Sequence, residues 1–385
     1  MSDNIGRKPH VSSIVEGSTR FGTRLFSEIS KAQEVNTVFS GFSVSVLLSL
    51  ASLGAKENTL KQIKEALQLP NEPETLKSAF YDINSATKSD ERITLETANS
   101  VFPSVGLSDF KEDFSKEAEK IFGSQISALD YSKKLEASEA INVWVEKSTK
   151  GCIRELLDAD SLGEDTRAVL VNSIYFKGSW STKFDSSLTE EKDFHVTPDK
   201  IVKVPTMHAP KIRFASSFND DLNATILALP YEGERMTMYF LLPKEPFGLS
   251  ELEQKLASFN PSLLDKVNNS VQGLVQIPKF KIESLHDLGD AVGSLGLTDL
   301  FGEGCDLSGI GGQPGELSVS KMIQKACLEV NEEGSEASAS TGLLIMMRSV
   351  FVSGPMVVDH PFAFMIRDKA TGMILFQGKV VDPLL

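Results

Sequence analysis

Residues 332–351 read EEGSEASASTGLLIMMRSVF. The stretch runs from an acidic pair and a glycine, through small and polar residues, to five adjacent apolar side chains and a lone Arg348. It follows LSVSKMIQKACLEVNE, a predicted strand, and precedes VDHPFAFMIRD, another. Gly334 to Pro355 is therefore a connection of about twenty residues, far longer than a usual loop. In an extended chain, Ser335, Ala337, Ala339, Thr341, Leu343, Ile345 and Met347 fall on one face. Glu336, Ser338, Ser340, Gly342, Leu344 and Met346 fall on the other. The first half is small on one side and polar on the other, so it could slide between two existing strands without a clash. A flexible Ala/Ser linker is the competing reading, and LLIMM argues against it, because five apolar residues in a solvated linker invite aggregation.

The texture around this segment sets the fold class. The first 160 or so residues are expected to be mainly helical. Asn58 is the expected cap before TLKQIKEAL; Ser115 is expected to open a helix that Gly123 closes; Ile141, Trp144 and Val145 share one face of a helix ending at Gly151. The apolar stretch 38–55 carries five serines and reads as a buried helix rather than a membrane span. From about residue 167 the runs become β-branched and aromatic: RAVLVNSIYF, ATILALPY, MTMYFLLP, GLVQIPKFKI, PFAFMIRD and MILFQGKVV. Helices first and strands later, without regular alternation, predict an α+β fold. No linker, repeat or low-complexity tract divides the chain, so residues 1–385 are expected to form one domain.

The 385 residues are 41% hydrophobic and 24% charged, an ordinary globular composition. Fifty-three acidic against 39 basic residues give a formal charge of −14, which disfavours a nucleic-acid partner. Lys56, Lys61 and Lys64 gather loosely on one expected helix, either a heparin-like polyanion site or a solvated face. MSDNIGRKPHVSS contains no signal-peptide run, so the chain reads as cytosolic or as a secreted form without its leader. Cys152, Cys305 and Cys327 are expected to be free thiols. Asn223-Ala-Thr and Asn268-Asn-Ser are sequons that matter only in a secreted protein.

Catalytic and metal motifs are missing. His10, His195, His208, His286 and His360 show no metal-ligand spacing, and no GxSxG elbow occurs. SGIGGQPG has Pro314 where a phosphate loop needs its third glycine and reads as a turn. No catalytic residue, metal or cofactor is assigned, although a site assembled from distant residues stays open.

The hinge NEEGSEASASTG closely resembles the reactive-loop hinge of inhibitory serpins. The resemblance continues through NTVFSGFSVSVLLSLASLGAKENTLKQI, LVNSIYFKGSW, FHVTPDKIVKVPTMH, LALPYEGERMTMYFLLP, IPKFKIES and HPFAFMIRDKATGMILFQGKVVDP, in family order. It implies a serpin fold: three β-sheets, about nine helices and an exposed reactive-centre loop at about 332–355. It also implies a monomeric inhibitor that no membrane holds. A target serine protease attacks the loop, and the loop inserts into the main sheet before the acyl-enzyme hydrolyses; loop insertion in serpins is itself a standard example of strand addition and released strain.

Carried over residue by residue, the resemblance makes Glu332, Glu333, Gly334, Ser335, Glu336, Ala337, Ser338, Ala339, Ser340 and Thr341 the hinge. Arg348 and Ser349 flank the reactive bond, and Leu344, Ile345, Met346 and Met347 fill neighbouring subsites. Arginine at that bond implies a trypsin-like protease held in a covalent complex, with cleavage beside Met347 by a chymotrypsin- or elastase-like enzyme as the alternative. Two departures stand out. The family usually has Ser-Pro-x-Ser where this chain has Ser40-Gly41-Phe42-Ser43, and often a histidine where it has Gln324. A polar cluster of Ser40, Ser43, Asn172 and Gln324 is still expected. Trp180 and a Glu332–Lys279 pair are expected near the point of insertion, as packing or as an exposed, weak ion pair. The alternatives are a non-inhibitory member of the same fold and an unrecognised hydrolase.

Overall fold

The computed structural model describes residues 8–31, 34–86, 92–108, 110–149, 151, 153–268, 270–335 and 355–385. Its α-helices are α1 (Pro9–Lys31), α2 (Gly41–Gly54), α3 (Glu57–Leu67), α4 (Pro73–Ala86), α5 (Glu112–Phe122), α6 (Lys134–Ser148), α7 (Leu249–Leu256) and α8 (Gly289–Ser294). Its first strands are β1 (Thr37–Phe39), β2 (Ile93–Pro103), β3 (Gln125–Ile126), β4 (Ala168–Ser179), β5 (Glu190–Thr197), β6 (Lys200–Asn219), β7 (Ala224–Pro230) and β8 (Met236–Pro243). The rest are β9 (Ser270–Pro278), β10 (Phe280–Asp287), β11 (Lys321–Val330), β12 (Gly334–Ser335), β13 (Met356–Val357), β14 (Phe362–Asp368) and β15 (Ile374–Val380).

The central sheet runs β10-β11-β4-β2-β3, with β12 added on β4. The larger one runs β1-β15-β14-β8-β7-β6-β9-β13, with β5 on β6. β6 is twenty residues long and its register against β9 shifts between Ala209 and Ile212, where Pro210 lies. That bulge bends the strand, so one continuous ladder serves the second and third layers of the expected fold. The α+β class and the serpin architecture implied by the sequence are what the chain adopts.

α2 is buried on every side except at Leu53, which is why its apolar run shows no amphipathic stripe. Among the described residues no helix is long and apolar enough to cross a membrane. α6 lays Ile141 and Val145 on the outer face of the central sheet against Phe102, Val169, Val171 and Ile323. The sheet's opposite face, with Leu170, Ile174 and Phe176 of β4, packs with α1 and α2 in the main core.

Several local expectations shift. α3 begins at Glu57 with Lys56 as its cap, and Asn58 lies inside the helix, donating to Asp299 Oδ2 at 2.7 Å. α5 begins at Glu112, so Ser115 is internal, while Gly123 does close it in the left-handed conformation (φ 63°). α6 ends at Ser148 rather than at Gly151. The segment 93–103, inside the region read as mainly helical, is an eleven-residue strand of the central sheet. GLVQIPKFKI is divided at Lys279 into β9 and β10. SGIGGQPG is a turn, with Gly312 and Gly315 at positive φ. Cys305 and Cys327 are free and buried; Cys152 lies outside the described residues.

Candidate functional site at the head of the central sheet

β4 and β11 run parallel and pair from Val169–Lys321 to Tyr175–Cys327. There the ladder stops. Above it the chain leaves β11, turns over Asn331–Gly334 and comes back into the opening, where Gly334 and Ser335 pair antiparallel with Ser179 and Gly178 of β4. The first two residues of the small-residue segment thus already lie in the central sheet as β12.

Gly334 is obligatory at this point. Its φ is +137°, and a Cβ there would sit 2.1 Å from Gly178 O and 2.7 Å from Ser179 Cα. The turn that delivers it is held by exchange between Asn331 and Gly334: N–H to O distances are 2.9 and 3.1 Å. Asn331 Oδ1 also accepts from Glu333 N at 3.1 Å.

The carbonyls of Asn331, Glu332 and Glu333 each have a donor from the segment after β4. Trp180 Nε1 donates to Asn331 O at 2.9 Å, Phe184 N to Glu332 O at 3.0 Å, and Trp180 N to Glu333 O at 2.8 Å. The Trp180 indole is buried and stacked on Tyr231, with ring centroids 4.6 Å apart and planes 9° from parallel. Glu332 accepts from Lys279 at 2.9 Å and from Thr189 Oγ1 at 2.7 Å. Burial works to raise its carboxyl pKa, but the Lys279 and Thr189 bonds outweigh it and hold it below the ordinary glutamate value. With its side chain only 12% exposed, Glu332 is an anchored ligand of the sheet edge, stronger than a surface ion pair. Glu333 pairs with Lys183.

Lower in the seam, the four expected polar residues do meet. Ser40 N donates to Gln324 Oε1 at 2.9 Å, and Gln324 Nε2 donates to Ser40 O at 3.0 Å. Asn172 Nδ2 donates to Ser43 Oγ and to Asn99 Oδ1. Ser40 caps α2 by accepting from Ser43 N at 3.1 Å. Gly41 takes the place of the family's proline because α1 crosses there: a Cβ on it would lie 2.3 Å from Gly22 Cα. His286 lies opposite Gln324 in the next strand, with Nε2 3.0 Å from Val38 O.

The sequence reading missed Asn99, Asn331, Lys183, Thr189, Tyr231 and His286. Asn99 shares its signal with Asn172 and Gln324: a polar residue inside a buried strand. The others become partners only through the fold. Ser335 is placed by its backbone. Glu336, Ala337, Ser338, Ala339, Ser340, Thr341, Leu344, Ile345, Met346, Met347, Arg348 and Ser349 lie outside the described residues. Of Lys56, Lys61 and Lys64, Lys61 lies 4.0 Å from Glu65 and Lys64 donates to Asn71 O at 3.1 Å, so two of the three are engaged within the chain.

A parallel seam that stops short, with the next segment started into the gap, defines a protein whose central sheet has room for another strand. Residues 16–383 match the family model described as Serpin (serine protease inhibitor). Alaserpin of Manduca sexta is 37% identical over 374 residues, covering 96% of this chain and 93% of the relative. Serpin48 of Tenebrio molitor superposes with a TM-score of 0.87 at 33% identity, covering 96% of this chain and 98% of that one. An Arabidopsis serpin in its native stressed conformation gives 0.86 at 33% identity, covering 97% and 99%. The chain belongs to the serpin family.

Proposed function

We propose that this serpin inhibits trypsin-like serine proteases by acting as a suicide substrate at Arg348–Ser349. The protease serine Oγ attacks the Arg348 carbonyl carbon, the peptide bond breaks, and Ser349 leaves as the new amine, taking the proton that the protease's base received. The acyl ester between serine and Arg348 persists because the freed segment is drawn into the central sheet before water attacks. Nucleophile, base and oxyanion hole all belong to the protease, in keeping with a chain that carries no catalytic motif.

The observation that carries this reading is β12, seated above Tyr175 and Cys327 where the β4–β11 ladder ends. Each further loop residue on the same antiparallel register would step one residue down β4. Ala337, Ala339 and Thr341 would come opposite Phe176, Ile174 and Asn172, on the face toward the core, where small side chains are needed. An arginine bait suits extracellular cascades such as clotting or innate immunity, with the chain secreted; action inside the cell is the alternative setting.

The test is to mix the protein with trypsin and run a denaturing gel. A covalent complex larger than either partner, lost in Arg348→Ala, is the expected result. Clean cleavage after Arg348 without a complex would make the chain a substrate and sink the proposal. Cleavage beside Met347 by chymotrypsin, with complex formation, would transfer the assignment to that enzyme class.

A further inference from the structure

Of the two sequons, Asn223-Ala-Thr lies where the folded chain can carry a sugar. Residues 220–223 form the turn between β6 and β7, and Asn223 is its last residue, partly exposed and in the left-handed conformation (φ 51°). Asparagine is one of the few side chains that enter this conformation readily. The backbone is fixed on both sides: Asn223 N donates to Asp220 O at 3.2 Å, and Asn223 O accepts from Lys244 N at 3.0 Å. The side-chain amide makes no hydrogen bond with a described residue, so a substituent on its nitrogen displaces none.

The neighbours of the sequon carry the argument further. Thr225 pairs with Phe218 of β6 on one side and with Leu242 of β8 on the other. Residues opposite one another on adjacent strands share a face, so Phe218, Thr225 and Leu242 form one row across the end of the sheet. Phe218 is 49% exposed, whereas Phe214, on the same face of β6, is 1% exposed. A single exposed ring is ordinary by itself. In register with the threonine of a sequon it is a flat apolar platform for the C–H face of a sugar. The second sequon lacks such a neighbour: Ser270 pairs with Ala215, and its hydroxyl accepts from Arg213 Nε at 2.8 Å.

We infer that Asn223 is an N-glycosylation site whose first N-acetylglucosamine packs against Phe218. The inference rests on the secreted setting proposed above. In the transfer, Asn223 Nδ2 bonds to the anomeric carbon of the sugar, and the bond from that carbon to the pyrophosphate of a lipid carrier breaks. The lipid pyrophosphate leaves with the electron pair, and one amide proton passes to the transferase's base. β7 ends at Pro230, beside the Tyr231 that bridges to Trp180, and Asn223 precedes its other end. A seven-residue strand spans roughly 20 Å, so a glycan at Asn223 leaves the hinge open to a protease.

The test passes the intact chain through the secretory pathway of mammalian cells behind a cleavable leader, then maps peptides of the secreted protein before and after peptide N-glycosidase F. A glycan-sized mass loss, with the Asn223 amide converted to a carboxylate, is expected. Thr225→Val should leave Asn223 bare. Because the route is imposed, a bare Asn223 in the wild-type protein counts against the site and not against the secreted setting, and it would overturn the inference. Removing the glycan should lower Tm by about 2 °C, the effect of one aromatic contact in a chain of this size. The fall should be smaller in Phe218→Ala, which keeps the sequon and loses the ring. An equal fall in both proteins would overturn the packing on Phe218.

Discussion

Gln324 and Asn172 face each other across the parallel β4–β11 ladder, and the Gln324 amide donates to Asn172 Oδ1 at 2.5 Å. The same amide group accepts from Ser40 N and donates to Ser40 O, so a single side chain fastens the seam of the sheet to the N-terminus of α2. A strand entering between β4 and β11 would have to break this bond. The cluster is fully buried, where hydrogen bonds are strong and unpaired groups expensive.

Gln324→Leu should therefore lower native-state stability by about 2–4 kcal/mol, since Ser40 N, Ser40 O and Asn172 Oδ1 lose a partner together. Equilibrium unfolding in urea measures it. An unchanged midpoint would mean that the cluster contributes little to the native form.

His286, opposite Gln324 in the neighbouring strand, puts a titrating group beside the seam. Its ring is 4% exposed and packs edge-on to Phe39 at 6.0 Å. Desolvation pushes its pKa below the ordinary value, against the opposing Val38 carbonyl. The unfolded chain then binds the proton more readily than the native one. Stability should be full above about pH 6.5 and fall as pH drops from there through the native pKa. His286→Phe should flatten that part of the pH–Tm curve, while an identical slope in wild type and variant would place the titration elsewhere.

The hinge was legible because its requirement is written in consecutive residues: small side chains at every second position need no knowledge of the fold. Asn172 and Gln324 were legible as polar residues interrupting apolar strands, and their meeting follows from β4 and β11 being neighbours. β2 was not, because its second half is buried on both faces and Ala98-Asn99-Ser100 shows neither alternation nor an apolar run. β6 was hidden by Pro205 and Pro210, which argue against a strand unless a bulge accommodates them. Lys183, Thr189 and Lys279 carry no local sign of a common purpose; only the turn after β11 brings Glu332 and Glu333 to them.

Gly334→Ala tests the seating of β12. The added methyl cannot coexist with Gly178 O at 2.1 Å, so the turn must withdraw and surrender the pairing with Ser179 and Gly178. A native-state cost of about 1–3 kcal/mol is expected, from the strained φ and the lost contacts. Faster cleavage of the hinge by a low dose of a non-target protease is the accompanying sign. Equal cleavage rates would show that β12 is not held in solution.

Trp180→Phe removes one hydrogen bond while leaving an aromatic ring against Tyr231. Loss of the indole donor to Asn331 O should cost about 1 kcal/mol. Because the chain has two tryptophans, Trp144→Phe leaves Trp180 as the single fluorophore. Its emission should change when the loop is cleaved, since its amide and its indole are both bonded to the hinge backbone. Emission that is the same before and after cleavage would show that the hinge turn does not move.

Thr341→Arg addresses insertion itself. Ser335 is opposite Gly178, and six residues further on the same register Thr341 would come opposite Asn172, level with Gln324. A threonine hydroxyl can take up the bonds that Asn172 and Gln324 release as they part. An arginine would instead bring an unpaired charge and a long side chain into a region of 0% exposure, which costs several kcal/mol or stops the strand. The variant should be cleaved by trypsin at the normal rate and yield little covalent complex, because hydrolysis of the acyl ester now outruns insertion. Wild-type protein nicked in the loop should melt well above the intact form, whereas nicked Thr341→Arg should show little of that rise. A variant that still traps trypsin at the wild-type ratio would mean that insertion, if it occurs, stops before Thr341 reaches the Asn172 and Gln324 level.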